Sequence, residues 1–195
     1  MTRPVAVAIT GGIGAGKSEA LKAFARNGAA TVSSDEIVHH LLRRPDVRDA
    51  VVARMGNGVV SPEGEIDRGA LATVVFNDRE ALGWLEELLH PLVSAEYLKW
   101  REQLARLPEA PRVCVTEVPL LYETGGDARF DKVVVVTAPS KLRRARSQVA
   151  TDDREARLIP DTEKVQRADF SFKNTGSLEE LDAFVKSVLA EISSS

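Results

Sequence analysis

Eight residues carry the plainest chemistry in the chain. Gly11-Gly12-Ile13-Gly14-Ala15-Gly16-Lys17-Ser18 follows the spacing G-x-x-x-x-G-K-[ST] in full. Glycine adopts positive φ and brings the main chain close to phosphate oxygens with no Cβ in the way. Successive N–H groups pointing into such a loop form an anion nest, and the positive end of a helix starting near Lys17 reinforces it. The Lys17 ammonium reaches the β- and γ-phosphates, and the Ser18 hydroxyl is a ligand for Mg²⁺. An incidental glycine-rich turn has no need of a buried strand before it and a helix after it, and both patterns are present. The segment implies a nucleoside triphosphate site.

Asp35 is the second candidate. It follows a short second strand, which in a parallel sheet puts it at the carboxyl edge near the phosphate loop. A carboxylate there takes the proton of an attacking hydroxyl or holds the shell of a metal ion. Asp is equally a good N-cap for a helix beginning Glu36-Ile37-Val38, and spacing alone leaves both open. Glu117, ending a strand beside the loop, is placed to hold a Mg²⁺-bound water. His39 and His40 read as helix-surface residues, and no His or Cys spacing suggests a metal centre.

The elements that must position these groups alternate as in a parallel α/β unit. Val5–Ile9 reads as a strand buried on both faces, Lys17–Asn27 as a helix with Ala20, Leu21, Phe24 and Ala25 inward and Gly28 as its stop, and Ala30–Val32 as a second strand. Residues 35–112 then turn helical. Asp67 and Asp78 are expected caps, His90-Pro91 an expected break, and Leu92–Leu107 a further helix. Strand patterns return at Val113–Val118 and Lys132–Thr137. A charged helical stretch, Arg143 to Arg167, is interrupted at Pro160, and Phe170–Phe172 is a last strand. Ser177-Leu178-Glu179-Glu180 is a capping box opening a helix with Leu178, Leu181, Val185, Val188 and Ile192 inward.

Composition sets the class. The chain has 195 residues, 26 Lys and Arg against 29 Asp and Glu for a net charge of −3, and 44% hydrophobic residues, as expected of one globular domain with an insertion. A mildly acidic total argues against nucleic acid or an anionic membrane as partner. The single cysteine, Cys114, forms no intrachain disulfide, no run approaches a membrane span, and Val5–Ile9 is too short for a signal-peptide core. The expectation is a soluble cytoplasmic protein; oligomeric state is not legible.

The order of several short segments is more specific. The glycine-rich loop is followed by Ser34-Asp35-Glu36-Ile37-Val38-His39, Ile66-Asp67-Arg68 with Leu71 and Val75-Phe76, Leu89-His90-Pro91, Val118-Pro119-Leu120-Leu121-Tyr122-Glu123, and Ala168-Asp169 with Asn174-Thr175-Gly176-Ser177. That series resembles the dephospho-coenzyme A kinase family over nearly the whole chain. The resemblance implies an α/β fold of the P-loop NTPase type, a three-layer parallel-sheet core of residues 1–34, 113–140 and 168–195. It implies a helical acceptor-binding insertion at 35–112 and a helical lid at 141–167. It implies ATP-dependent, Mg²⁺-assisted phosphorylation of the ribose 3′-hydroxyl of dephospho-coenzyme A. Asp35 would be the base, Arg68 and His90 acceptor-site residues, Lys17 and Arg146 catalytic cations.

The lid departs from the family pattern. Arg146 matches the first arginine of R-x-x-x-R, but the second falls on Ala150; a later R-x-x-x-Q matches Arg154 and has Leu158 for the glutamine. Arg154 could serve from the same helix face, or a shifted register makes Arg143 or Arg144 the functional residue. Two other readings remain: another small-molecule or nucleoside kinase, and a nucleotide-binding regulatory protein with an impaired lid. Residues 141–167 hold eight Lys and Arg against five Asp and Glu, a local excess of three inside an acidic chain.

Overall fold

A computed structural model describes residues 3–146 and 158–194. Five strands, β1 (Val5–Thr10), β2 (Ala30–Ser33), β3 (Val113–Glu117), β4 (Lys132–Thr137) and β5 (Phe170–Lys173), form one sheet in the order β2-β3-β1-β4-β5. All four pairings are parallel, so every strand delivers its carboxyl end to the same edge. Both faces are covered, which is why the strands read as continuous apolar runs rather than alternating ones. Val7, Ile9, Val113, Val115, Val134 and Val136 pack against helix α1 (Lys17–Arg26) and the C-terminal helix, Leu178–Ser194. The alternate residues Ala8, Val133 and Val135 pack on the other face against Leu121, Tyr122, Phe130 and Ile159.

The chain divides into two compact units, Met1–Ser33 with Gln103–Ser195, and Ser34–Glu102. The second holds α2 (Ser34–Leu42), α3 (Pro45–Met55), α4 (Arg68–Asn77) and most of α5 (Arg79–Ala105). In the first, α6 (Ser140–Arg146) and α7 (Asp161–Arg167) precede β5, and Leu178–Ser194 is α8. The caps fall where side-chain chemistry places them. Asp67 accepts from the N–H groups of Gly69 and Ala70 at 2.8 and 3.1 Å, and Asp78 from those of Glu80 and Ala81 at 2.9 and 3.0 Å. α1 closes with Ala29 N–H on the Phe24 carbonyl and Gly28 N–H on that of Ala25, each at 3.1 Å.

Three expectations are corrected and one open alternative is closed. α5 is one helix through Pro91, not two; the ring's fixed φ is helical, and only the bond to the residue four earlier is lost. α2 begins at Ser34, so Asp35 lies in its first turn and is not its N-cap. In α1 Ala23 is buried beside the expected Ala20, and Ala25 faces out. In α8 Leu178 is exposed, whereas Leu181, Val185, Val188 and Ile192 are buried. The capping box there is half made. Ser177 Oγ accepts from Glu180 N–H at 3.2 Å, while the Glu180 carboxylate takes the Thr175 hydroxyl instead of turning back on Ser177.

Phe24 is fully enclosed between α1, the sheet and α8. Phe24→Ala is expected to cost about 3–5 kcal/mol of stability, read by urea unfolding; an unchanged midpoint would contradict this packing.

Candidate active site

The carboxyl edge of the sheet carries the phosphate loop between β1 and α1. Its backbone is packed too closely for side chains at several points, two of them at its ends. Gly11 has φ +143°, and a Cβ there would collide with the carbonyl oxygen of Val136 in β4. Gly16 has φ +98°, and a Cβ there would collide with the amide of Asn174. Asn174 is buried just after β5, its own N–H held by the Thr137 carbonyl at 2.7 Å. Its side chain donates to the Ala15 carbonyl at 2.9 Å and accepts from Gly176 N–H at 3.0 Å. One buried amide thus fixes the middle of the loop to the end of the fifth strand.

Two cation positions follow from this frame. Lys17 Nζ donates to the Gly12 carbonyl at 3.1 Å, so the ammonium lies across the mouth of the loop it belongs to. Ser18 Oγ donates to Glu117 Oε2 at 3.0 Å. Glu117 is the last residue of β3, in register with Ile9 on one side and Ser33 on the other, and is buried. A hydroxyl and a carboxylate meeting at a phosphate loop form the hard-oxygen donor set that suits Mg²⁺. That ion keeps several waters and takes one or two protein ligands with phosphate oxygens. Among the described residues no cluster of three or more His, Cys, Asp or Glu could hold a metal ion.

At the end of α6, the Arg146 guanidinium is exposed and lies beside the helix end of the loop. Its nitrogens are 3.7 and 3.5 Å from where a Cβ of Gly16 and of Gly176 would stand. Arg144 is exposed, and Arg143 turns inward toward Gly12. Ala150 and Arg154 lie outside the described residues. Leu158 is half-buried. Next to it the Ile159 N–H donates to Glu123 Oε1 at 3.0 Å, and that same oxygen is 2.7 Å from Lys164 Nζ. The Lys164 side chain is 0% exposed and that of Glu123 11%, a buried pair joining α7 to the segment after β3. Arg167 adds to the joint, its guanidinium 4.1 Å from the Tyr122 ring centre and 3.3 Å from Asp127. Burial pushes the Tyr122 phenol above its ordinary pKa, against the pull of Arg167.

In the helical unit, Asp35, Arg68 and His90 are all exposed: Asp35 in the first turn of α2, Arg68 opening α4, and His90 within α5 beside Pro91. Asn174, Glu123 and Lys164 were not singled out for their chemistry. Asn174 and Glu123 stood within recognisable segments without a mechanism. Lys164 looked like part of a solvated charged helix, because its partner is 41 residues away and leaves no local pattern.

With this geometry in hand, the comparisons with known proteins agree. A model of the dephospho-CoA kinase family matches residues 5–180. A protein of Rhodopseudomonas palustris named dephospho-CoA kinase is 39% identical over 189 residues, covering 93% of this chain and 92% of that one. A solved structure from Thermus thermophilus, 34% identical, superposes with a TM-score of 0.76 over 97% of this chain and 98% of the other. The dephospho-CoA kinase of Campylobacter jejuni, 29% identical, gives 0.70 over 97% of each.

Removing one member of the buried pair leaves the other uncompensated. Lys164→Met is expected to lose about 3–5 kcal/mol by thermal or urea unfolding, and the double change with Glu123→Leu to recover most of it. A single variant as stable as the wild type would contradict the pairing.

Proposed function

This chain belongs to the dephospho-CoA kinase family, and from that premise we propose how its residues divide the work. The activity is the family's: phosphorylation of the ribose 3′-hydroxyl of dephospho-CoA, the final step of coenzyme A biosynthesis. Relatives that match along almost the whole chain do not favour the other readings, a different small-molecule kinase or a regulatory protein without turnover.

ATP is the donor in this reading, with its phosphates in the nest formed by Gly11, Gly12, Ile13, Gly14, Ala15 and Gly16. The observation that carries it is the loop itself, its main chain packed against the Val136 carbonyl and bonded to the buried Asn174 amide. Lys17, now bonded to the Gly12 carbonyl, exchanges that partner for phosphate oxygens. Ser18 would hold Mg²⁺, with Glu117 accepting from a water of its shell; the ion neutralises charge on the phosphates when bound. Arg146 contributes a further positive charge from the lid side of the loop. The balance of catalysis is positioning and charge stabilisation, since phosphoryl transfer asks little covalent chemistry of the protein.

Asp35 is the general base in this reading, accepting the proton of the ribose hydroxyl as the new bond to phosphorus forms. Its place in the chain, two residues beyond β2, supports the assignment. Arg68 and His90 are proposed to contact the acceptor, their exposed cationic and imidazole groups suiting an anionic ligand. Among the described residues no helix is long and apolar enough to cross a membrane. With the only cysteine buried and reduced, that supports a cytoplasmic setting.

Asp35→Asn is expected to bind ATP and dephospho-CoA within a few-fold of the wild type by calorimetry. Its turnover, followed by chromatography of ADP and coenzyme A, should fall by about 10²–10⁴-fold. Undiminished turnover would remove Asp35 from the mechanism.

A further inference from the structure

Besides Lys17 and Arg146, a third cationic side chain stands at the phosphate loop. Arg143, in the second turn of α6, is packed onto it with its main chain as well as its side chain. Its carbonyl oxygen is 2.7 Å, and its Cα 3.1 Å, from where a Cβ of Gly14 would be. Its Nη1 occupies the space that a Cβ of Gly12 would need. Gly12 is the residue whose carbonyl Lys17 Nζ holds at 3.1 Å. The Lys17 ammonium and the Arg143 guanidinium therefore both lie against Gly12. Arg146 lies against Gly16, at the other end of the loop.

What keeps Arg143 there is Asp161. The carboxylate is 3.6 Å from Arg143 Nη1, at side-chain exposures of 26% and 20%. Both of its oxygens are also within 3.3 Å of the Cβ position of Gly12. Asp161 opens α7, and α7 is fastened one turn later by the buried Lys164–Glu123 pair. A carboxylate this close to an anion site raises the cost of binding a triphosphate unless it is matched by a cation. Its presence makes sense as the holder of an arginine that has five donors to share between a carboxylate and a phosphate.

We propose that Arg143 is a further catalytic residue of this site, meeting the transferring phosphoryl group beside Lys17, and that Asp161 is its positioning residue. The inference rests on the kinase reading above, and it separates the two ends of the loop: Arg143 at the end where Lys17 meets the reacting phosphate, Arg146 at the end where α1 begins.

The test compares wild type, Arg143→Ala, Asp161→Asn and the double variant in steady-state turnover of Mg²⁺-ATP and dephospho-CoA. Arg143→Ala should lower kcat by about 10²–10³-fold, and Asp161→Asn by about 10- to 100-fold through misplacement of the guanidinium. The double variant should be no slower than Arg143→Ala alone, because Asp161 acts through that residue. Methylguanidinium added at millimolar concentration should restore part of the activity of Arg143→Ala; a residue that merely braces the lid would show no such rescue. Arg143→Lys guards against misfolding of the alanine variant. It keeps the charge and most of the stem but not the fork, and it should still lose at least tenfold in kcat. Wild-type protein that forms no coenzyme A would overturn the functional reading and this inference with it. Active wild type alongside a folded Arg143→Ala or Arg143→Lys within twofold of it, or additive losses in the double variant, would overturn this inference alone.

Discussion

Everything at the sheet's carboxyl edge depends on how little room the main chain of the phosphate loop has. The Val136 carbonyl presses on Gly11, the Asn174 amide on Gly16 and the Arg143 backbone on Gly14. Three separate parts of the fold therefore meet one loop, and none tolerates a side chain at its point of approach. A loop held in this way is fixed by contacts that belong to the fold itself. The ordering is done during folding rather than at the moment of reaction.

The core exists to make that contact set reproducible. Parallel pairing brings the ends of β1, β3, β4 and β5 to one edge, and burial of both sheet faces leaves no freedom for a register slip. Each strand end then hands over one functional contact: β3 the carboxylate of Glu117, β4 the carbonyl of Val136, and the turn after β5 the amide of Asn174. Helix α7 is tied to the same core by a buried charge pair. Glu123 serves both the Ile159 N–H and the Lys164 ammonium, and it follows Leu121 and Tyr122, which pack under the sheet. Breaking such a pair costs more than making it gains, so its value is in fixing where α7 starts. Where α7 starts is where Asp161 stands.

The sequence made the sheet legible because its strands are short β-branched runs and the glycine motif between β1 and α1 has one well-defined physical use. The caps at Asp67 and Asp78 were legible for the same local reason. Pro91 was misread because proline's usual effect on a helix ignores the rest of α5, a 27-residue element that continues on both sides of the lost bond. Leu178 was misread because the inward face of α8 begins one turn later than its first apolar residue. The contacts that hold the loop and the lid were not legible at all. Asn174 with Ala15 and Lys164 with Glu123 join residues 159 and 41 positions apart, and no local periodicity announces them.

In the proposed reaction this loop delivers a phosphoryl group from ATP to the ribose of dephospho-CoA. Phosphorus NMR of the protein mixed with Mg²⁺-ATP and dephospho-CoA tests it most directly. The account predicts loss of the ATP γ-resonance in step with a new phosphomonoester signal on the ribose 3′ position. An ATP spectrum that does not change, or γ-phosphate appearing only as inorganic phosphate, would contradict it.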